Sequence, residues 1–581
     1  MVIITRVKYL RQYMNKYTIG LDFGTNSCRS VIVDITNGNE IASHVFEYPS
    51  GEAGVIINHD IPNQARQNPA DYLLGIETTI NEAIRKAKET GPYFSPNDII
   101  GIGIDTTGSS PMPVDSKGNP LCFQDKFKDE PAAMVWLWKD HTSYAEAQEI
   151  TELAEKIRPQ YLAKIGGVYS SEWFWSKIWH CQKENPDVFN AAYNFVEICD
   201  WIPAVLSGDT NPKSLKRSIC AAGHKALYNE QWGGLPDEEF LERLSPELGK
   251  LRNRIVNKAY PTEERAGYLS EEWSKKLGLT TNVAIAVGAF DAHMGAVAAG
   301  VKTGTLVKIM GTSTCDIMVY PNNKILADIP GVCGIVNGSV MDGYYGIEAG
   351  QSGVGDIFLW FVNNLVPDSY GKTTDEKFIN LENLAAKIKP GESGLMALDW
   401  NNGNRTILVD TRLTGLLLGQ TLLTKPHEIY RALVEATAFG ALAIIDRIEE
   451  YGVTIAEVVN CGGLAIRNTL LMQIYADVIG RPMKISRSEQ TPALGAAIFA
   501  AISAGKLSSG YDNIDQAQTA MTGISKVYNP IKENHDVYKK LYQIYKQLHD
   551  GFGTMSWQGN MFNVMKDLLD IRDKIRKEKK C

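Results

Sequence analysis

The sequence predicts an α/β protein assembled from two related halves. Three observations carry this expectation. Strand and helix signals alternate through the second half, one strand–turn–strand segment recurs at half the chain length, and 581 residues suffice for several cores. Hydrophobic residues make up 44% and charged residues 22%, which excludes a largely disordered chain.

Tyr17–Phe23 is a β-branched and aromatic run broken by Gly24-Thr25-Asn26-Ser27. Residues 29–35 follow as a second strand ending in Thr36-Asn37-Gly38, so the opening reads as a β-hairpin. The run IIGIGID over residues 99–105 predicts a buried strand before the small polar loop of residues 106–110. Residues 131–250 are aromatic-rich and helical in pattern, with Trp136, Trp138, Trp173, Trp175, Trp179 and Trp201. Residues 306–310, the turn Gly311-Thr312-Ser313-Thr314-Cys315 and residues 316–320 then repeat the opening hairpin, with Gly, Thr and Cys recurring 287 residues on. Beyond it the spacing predicts a helix from Thr424 or Pro426 to Glu450, a strand over 457–460 leading into Cys461-Gly462-Gly463, and a helix over 467–479. A strand over 482–486 and a helix over 493–504 complete this alternation. The Lys/Arg-rich end beyond about residue 550 reads as a helix with a solvated face.

Charge and cysteine usage narrow the partners. A net charge of −8 gives no electrostatic motive for nucleic acid. The longest small-apolar stretch, residues 493–505, is too short to cross a bilayer, so no membrane partner is expected. Nine cysteines without a CxxC pair suit free thiols in a reducing compartment, and a cytoplasmic protein is expected. Residues 1–16 carry four basic residues and no acid, but Val2–Thr5 is too short for a signal-peptide core, so they read as an extension before the first strand.

Tight turns of small residues expose backbone N–H groups that bind phosphates, although a single such turn commonly just reverses the chain. Two related turns with a third glycine pair at a strand-to-helix junction point to a nucleotide site. No GxxxxGK[ST] is present, and no GxGxxG follows the first strand, so neither a P-loop nor a dinucleotide-binding Rossmann domain fits. Asp22 beside the first turn suits Mg²⁺, a hard oxygen-seeking cation, or caps the turn. Asp291, after the apolar run 283–287, stands where a general base could meet a substrate hydroxyl. His293 reads as a core or surface histidine.

Together Gly20-Leu21-Asp22-Phe23-Gly24-Thr25, Gly311-Thr312-Ser313-Thr314, and Gly462-Gly463 with Arg467-Asn468 resemble the two phosphate motifs and the adenosine motif of the FGGY carbohydrate kinases. Residues 415–435 resemble that family's C-terminal signature, departing at Gln420. Six further segments, among them 166–175, 222–225, 288–295 and 348–352, resemble the branch acting on L-ribulose. The resemblance implies two duplicated actin-like (ribonuclease H-like) ATPase domains with a cleft between them. Their expected limits are 14–298 (sugar-binding, first phosphate motif) and 299–550 (second phosphate and adenosine motifs), followed by a basic helical tail at 551–581. It also implies ATP with Mg²⁺, ATP being held by Gly24, Thr25, Asn26, Ser27, Gly311, Thr312, Ser313, Gly462, Gly463 and Asn468, with the metal at Asp22. Asp291 would be the catalytic base, and Gly108, Lys225, Asp291 and Glu348 would line the sugar pocket, Lys225 and Glu348 reading opposite ends of the hydroxyl array. The implied activity is phosphorylation of L-ribulose at O5 in L-arabinose catabolism. Other acceptors (D-ribulose, xylulose, ribitol), a non-catalytic sugar sensor of the same fold and a homodimer stay open.

Overall fold

The computed structural model of the protein describes residues 15–91 and 94–580. Most of the expected extension, the domain start at residue 14 and Cys581 lie outside the described residues.

Alternation along the first strand, Tyr17–Phe23, sets both faces of the N-terminal sheet. Ile19, Leu21 and Phe23 are fully buried in one core with Ile76 and Ile80 of helix Pro69–Thr90. The intervening positions face helix Thr491–Ala504: the Thr18 hydroxyl donates to the Ala497 carbonyl at 2.9 Å, and a Cβ on Gly20 would lie 1.7 Å from the Ala493 carbonyl oxygen. The small-apolar stretch around Ala493 is thus a buried helix seated on glycines. Among the described residues no helix is long and apolar enough to cross a membrane.

The N-terminal sheet runs in the order Arg265–Tyr268, Ala284–Ala286, Ile99–Thr106, Tyr17–Phe23, Ser27–Asp34, Asn39–Glu47. The C-terminal sheet, read from its far edge, runs Ile524–Tyr528, Met483–Ser486, Glu457–Cys461, Thr305–Met310, Thr314–Pro321, Tyr344–Ala349, with Gly334–Asn337 added outside. The directions match position by position: each first strand is antiparallel to its hairpin partner and parallel to the strand on its other side. The internal echo in the sequence is therefore a duplication of topology.

One detail of that echo is corrected. The first hairpin closes with Phe23 opposite Cys28, the second with Met310 opposite Thr314, so the second turn is one residue shorter. A one-residue slip reverses side-chain faces. Cys28 is buried beneath helix Pro69–Thr90, whereas Cys315 pairs with Ile309 and is half-buried. All eight described cysteines are free thiols.

The aromatic middle builds a core of its own from Trp136, Trp173, Trp175 and Trp179, while Trp201 joins the N-terminal sheet. The expected helix over 467–479 is two helices, Gly463–Arg467 and Thr469–Ile479. The basic tail helix, Val564–Lys580, is docked as well as solvated: Val564, Leu568 and Ile575 are buried, and Lys579 pairs with Glu392 at 2.7 Å.

Candidate active site

Three carboxylates end adjacent strands of the N-terminal sheet. Asp22 pairs with Asp105 across the parallel strands, and Asp105 pairs with Ala289 on the short strand Ala289–Phe290. Asp291 follows as the first residue of helix Asp291–Ala298. Residues in register on neighbouring strands stand about 4.8 Å apart and point to one face. The Asp22 side chain is 17% exposed, with Arg29 at a loose 3.7 Å. Asp105 is fully buried, and no donor of the protein reaches either of its oxygens. Burial, then the Asp22 charge, push the Asp291 carboxyl up to about 7, against a 2.6 Å hydrogen bond from the Ala292 N–H. Burial, then Asp22 and Asp291, push Asp105 well above the ordinary carboxylate range. Sequence reasoning missed Asp105. Its signal was present, because the strand over 99–105 ends in a carboxylate as the first strand does.

The loop after Asp105 carries Gly108, whose missing side chain admits the Phe290 ring: a Cβ there would meet a ring carbon at 1.8 Å. Two buried side chains clamp this loop. Lys177 donates to the carbonyls of Ser109 at 2.8 Å and Leu137 at 2.7 Å, and Glu197 accepts from the Ser109 hydroxyl and, at 2.6 Å, from the Ser110 N–H. Burial lowers the Lys177 pKa to about 7 despite the Glu197 charge.

Lys225, at the end of helix Ile219–Lys225, and Glu348, on strand Tyr344–Ala349 of the other sheet, do not stand at opposite ends of a ligand. They form an ion pair of 3.1 Å across the two halves. Two buried opposite charges attract strongly where little water screens them. Burial opposes the charge on Lys225, but Glu348, Cys333 and Glu172 together outweigh it and raise its pKa. Burial likewise opposes Glu348, yet the Lys225 ammonium holds it far below the usual range. His224 Nδ1 lies 3.2 Å from Glu348, and the two imidazole Nε2 atoms are 3.0 Å apart. Burial keeps both histidines neutral, His293 falling to about 4. His293 is thus a core residue supporting Glu348.

Both glycine turns are held by backbone bonds, Gly24 N–H to the Ser27 carbonyl and Gly311 N–H to the Ser313 carbonyl, each 2.9 Å. In the first, the Thr25 hydroxyl accepts from the Trp138 indole at 3.0 Å, and the Asn26 amide is spent on the Ala53 carbonyl at 2.6 Å. In the second, Gly311 and Thr312 are exposed, and the Gly311 and Thr312 carbonyls accept N–H groups opening helix Gly355–Leu365. Gly462, at φ 91°, lies against the Met310 carbonyl, where a Cβ would approach to 2.5 Å, so the third glycine motif abuts the second turn. Asn468, expected at the nucleotide, is 3% exposed. Its oxygen caps helix Thr469–Ile479 through the Leu471 N–H, and its amide donates to Glu382 and Tyr430. A side chain so committed positions the helix, and only the second lone pair of its buried oxygen remains for a ligand.

Residues 17–298 match the N-terminal domain and residues 306–504 the C-terminal domain of the FGGY family of carbohydrate kinases. The chain belongs to that family. It is a carbohydrate kinase of mixed α/β, actin-like architecture. A ribulokinase of Halalkalibacterium halodurans is 45% identical over 557 residues, covering 93% of this chain and 95% of that one. One of Vibrio parahaemolyticus is 41% identical over 549 residues, covering 92% and 95%. In three dimensions the chain resembles a xylulose kinase from Rhodospirillum rubrum, with a TM-score of 0.74, 21% identity and coverage of 92% and 99%. A Plasmodium falciparum glycerol kinase crystallised with ADP gives a TM-score of 0.74 at 17% identity, covering 94% and 99%.

Proposed function

We propose that the protein transfers the γ-phosphoryl group of ATP to O5 of L-ribulose, giving L-ribulose 5-phosphate and ADP in L-arabinose catabolism. The observation that carries this reading is Asp291. It is a carboxylate pushed up to about 7, beside Asp22 and near the buried Lys225–Glu348 pair, in a chain similar over nearly its whole length to proteins named ribulokinase.

Each group has a separate task. Asp291 takes the O5–H proton as O5 bonds to the γ-phosphorus and the bond to the β–γ bridging oxygen breaks. Backbone N–H groups of the Gly24–Ser27 and Gly311–Ser313 turns, with the hydroxyls of Thr25, Ser27, Thr312 and Ser313, cradle phosphate oxygens, and Gly462-Gly463 leaves room for the nucleoside. Lys225, Glu348 and the Gly108 loop pair with sugar hydroxyls. A hard divalent cation fits the Asp22 carboxylate, which is partly accessible and only loosely paired with Arg29. When bound, Mg²⁺ neutralises phosphate charge. Closure of the two halves excludes water from the reaction.

The test is ADP release from ATP with L-ribulose, D-ribulose, both xyluloses and ribitol, and without sugar. Release strongest with L-ribulose is expected. Equal rates with and without every sugar would discard the reading, and a different preferred acceptor would move it to another pentulose or pentitol.

A further inference from the structure

Asp105 is the one carboxylate of the cleft to which the proposed reaction gives no task. A carboxylate buried for structural reasons accepts hydrogen bonds, since an unpaired buried acceptor costs about 1–3 kcal/mol and a charged one more. Asp200 shows the ordinary case, accepting from the Ser218 N–H at 2.7 Å with Arg217 at 3.8 Å. Asp105 is fully buried, and among the described residues it has neither an amide or hydroxyl donor nor an ion pair; its polar neighbour is the Asp22 carboxyl, a second acid that itself needs a cation or a shared proton.

The duplicated half supplies an internal control. The rung Asp22–Asp105 of the N-terminal sheet corresponds to the rung Ile309–Cys461 of the C-terminal sheet. The same strand geometry is thus built without any carboxylate, and the fold does not require one at this place. What separates the two rungs is the neighbourhood. Asp105 lies in register between Asp22 and the strand leading to Asp291, on the floor beneath the expected phosphates.

We propose that Asp105 is a second carboxylate for the divalent cation, working beside Asp22 by accepting hydrogen bonds from waters that the ion retains. Mg²⁺ dehydrates reluctantly and commonly keeps several waters, whose polarised O–H groups are the donors that the Asp105 oxygens lack. Acceptors in this outer position orient the ion, and their loss typically weakens metal binding 10- to 100-fold. The inference rests on the ATP-dependent reading above.

Mn²⁺ is the probe, titrated by electron paramagnetic resonance into the full chain with saturating ADP. Asp105→Asn should weaken Mn²⁺ binding about tenfold or more, while calorimetric L-ribulose affinity stays within about twofold. Should Asp105→Asn fail to fold, Asp105→Ser replaces it. Independently, Asp22→Asn should retain a weakened site that the Asp22→Asn/Asp105→Asn double variant loses. Wild-type Mn²⁺ affinity in a folded Asp105 variant, or equal affinities in the single and double variants, overturns the proposal. If no pentulose elicits ADP release yet Mn²⁺ binding still depends on Asp105, the proposed activity falls and this inference stands. Full activity with Mn²⁺ binding indifferent to Asp105 overturns this inference alone.

Discussion

At the strand ends where the N-terminal half presents Asp22, Asp105 and Asp291, the C-terminal half presents Ile309, Cys461 and two exposed glycine-led motifs. The backbones are paired in the same order and sense. The chemistry they carry has diverged: one half concentrates carboxylates, the other concentrates backbone donors. A phosphoryl-transfer cleft needs both, a carboxylate to take a proton and backbone donors for phosphate oxygens. The Gly24 turn keeps one set of backbone donors beside the N-terminal carboxylates, so the two halves differ in the carboxylates and not in having a glycine turn.

The largest expected effect comes from removing the working charge of the N-terminal wall. Asp291→Asn should lower kcat roughly 10²–10⁴-fold with ATP affinity retained. In the unmodified enzyme, kcat/KM should rise with pH through about 7, because only the ionised carboxylate accepts a proton. The same substitution should stabilise the fold. A carboxyl raised from 3.8 to about 7 loses stability as pH climbs through that interval, so the variant should melt higher than wild type at pH 8 and equally below about pH 4. A near-wild-type kcat would remove Asp291 from the mechanism.

The second test breaks the contact that joins the walls. Lys225→Ala and Glu348→Ala should each reduce kcat/KM for L-ribulose by about ten- to several-hundred-fold, because each strands a buried charge. Removing both should cost much less than the product of the single losses. Additive losses in a double-mutant cycle would mean that the two side chains act separately on the sugar. A smaller effect is expected on the C-terminal wall. Around Gly311 a Cβ meets nothing nearer than 3.9 Å, so Gly311→Val should fold normally. It should weaken ATP by about tenfold or more, with L-ribulose binding nearly unchanged, since the side chain blocks approach to the turn's amides. Calorimetry with each ligand separately decides this, and loss of sugar affinity alone would transfer the second turn to the sugar. Smallest is Gly495→Ala at the seam of the two halves, where the new methyl would lie 2.0 Å from the Met294 carbonyl oxygen. A loss of about 1–3 kcal/mol is expected in thermal or denaturant unfolding.

Much of this organisation was legible in the sequence because it is local. Period-two runs ending in glycine turns placed Tyr17–Phe23 and the strand at 306–310 within a residue, and Pro426 and Gly452 bracketed the helix Pro426–Glu450. Contacts distant along the chain were not legible. Nothing near Lys225 announces that Glu348, 123 residues on, lies 3.1 Å from its ammonium. Nothing near Asp105 announces that its strand runs parallel to that of Asp22, since a strand's neighbours are not written in its own sequence. Asn468 is illegible for the opposite reason: its residue type suits a ligand and a helix cap equally, and the cap appears only once the Leu471 N–H is in place.

The Lys225–Glu348 bridge also bears on how the two substrates sense each other. Lys225 belongs to the half that carries Asp291 and Glu348 to the sheet that carries the Gly311 turn, so a ligand touching both would bias the relative placement of the two halves. Binding free energies are reciprocal: if L-ribulose tightens ATP by some factor, ATP tightens L-ribulose by that same factor. On the proposed assignment of the bridge to the sugar pocket, sugar recognition and nucleotide affinity become two readings of one equilibrium.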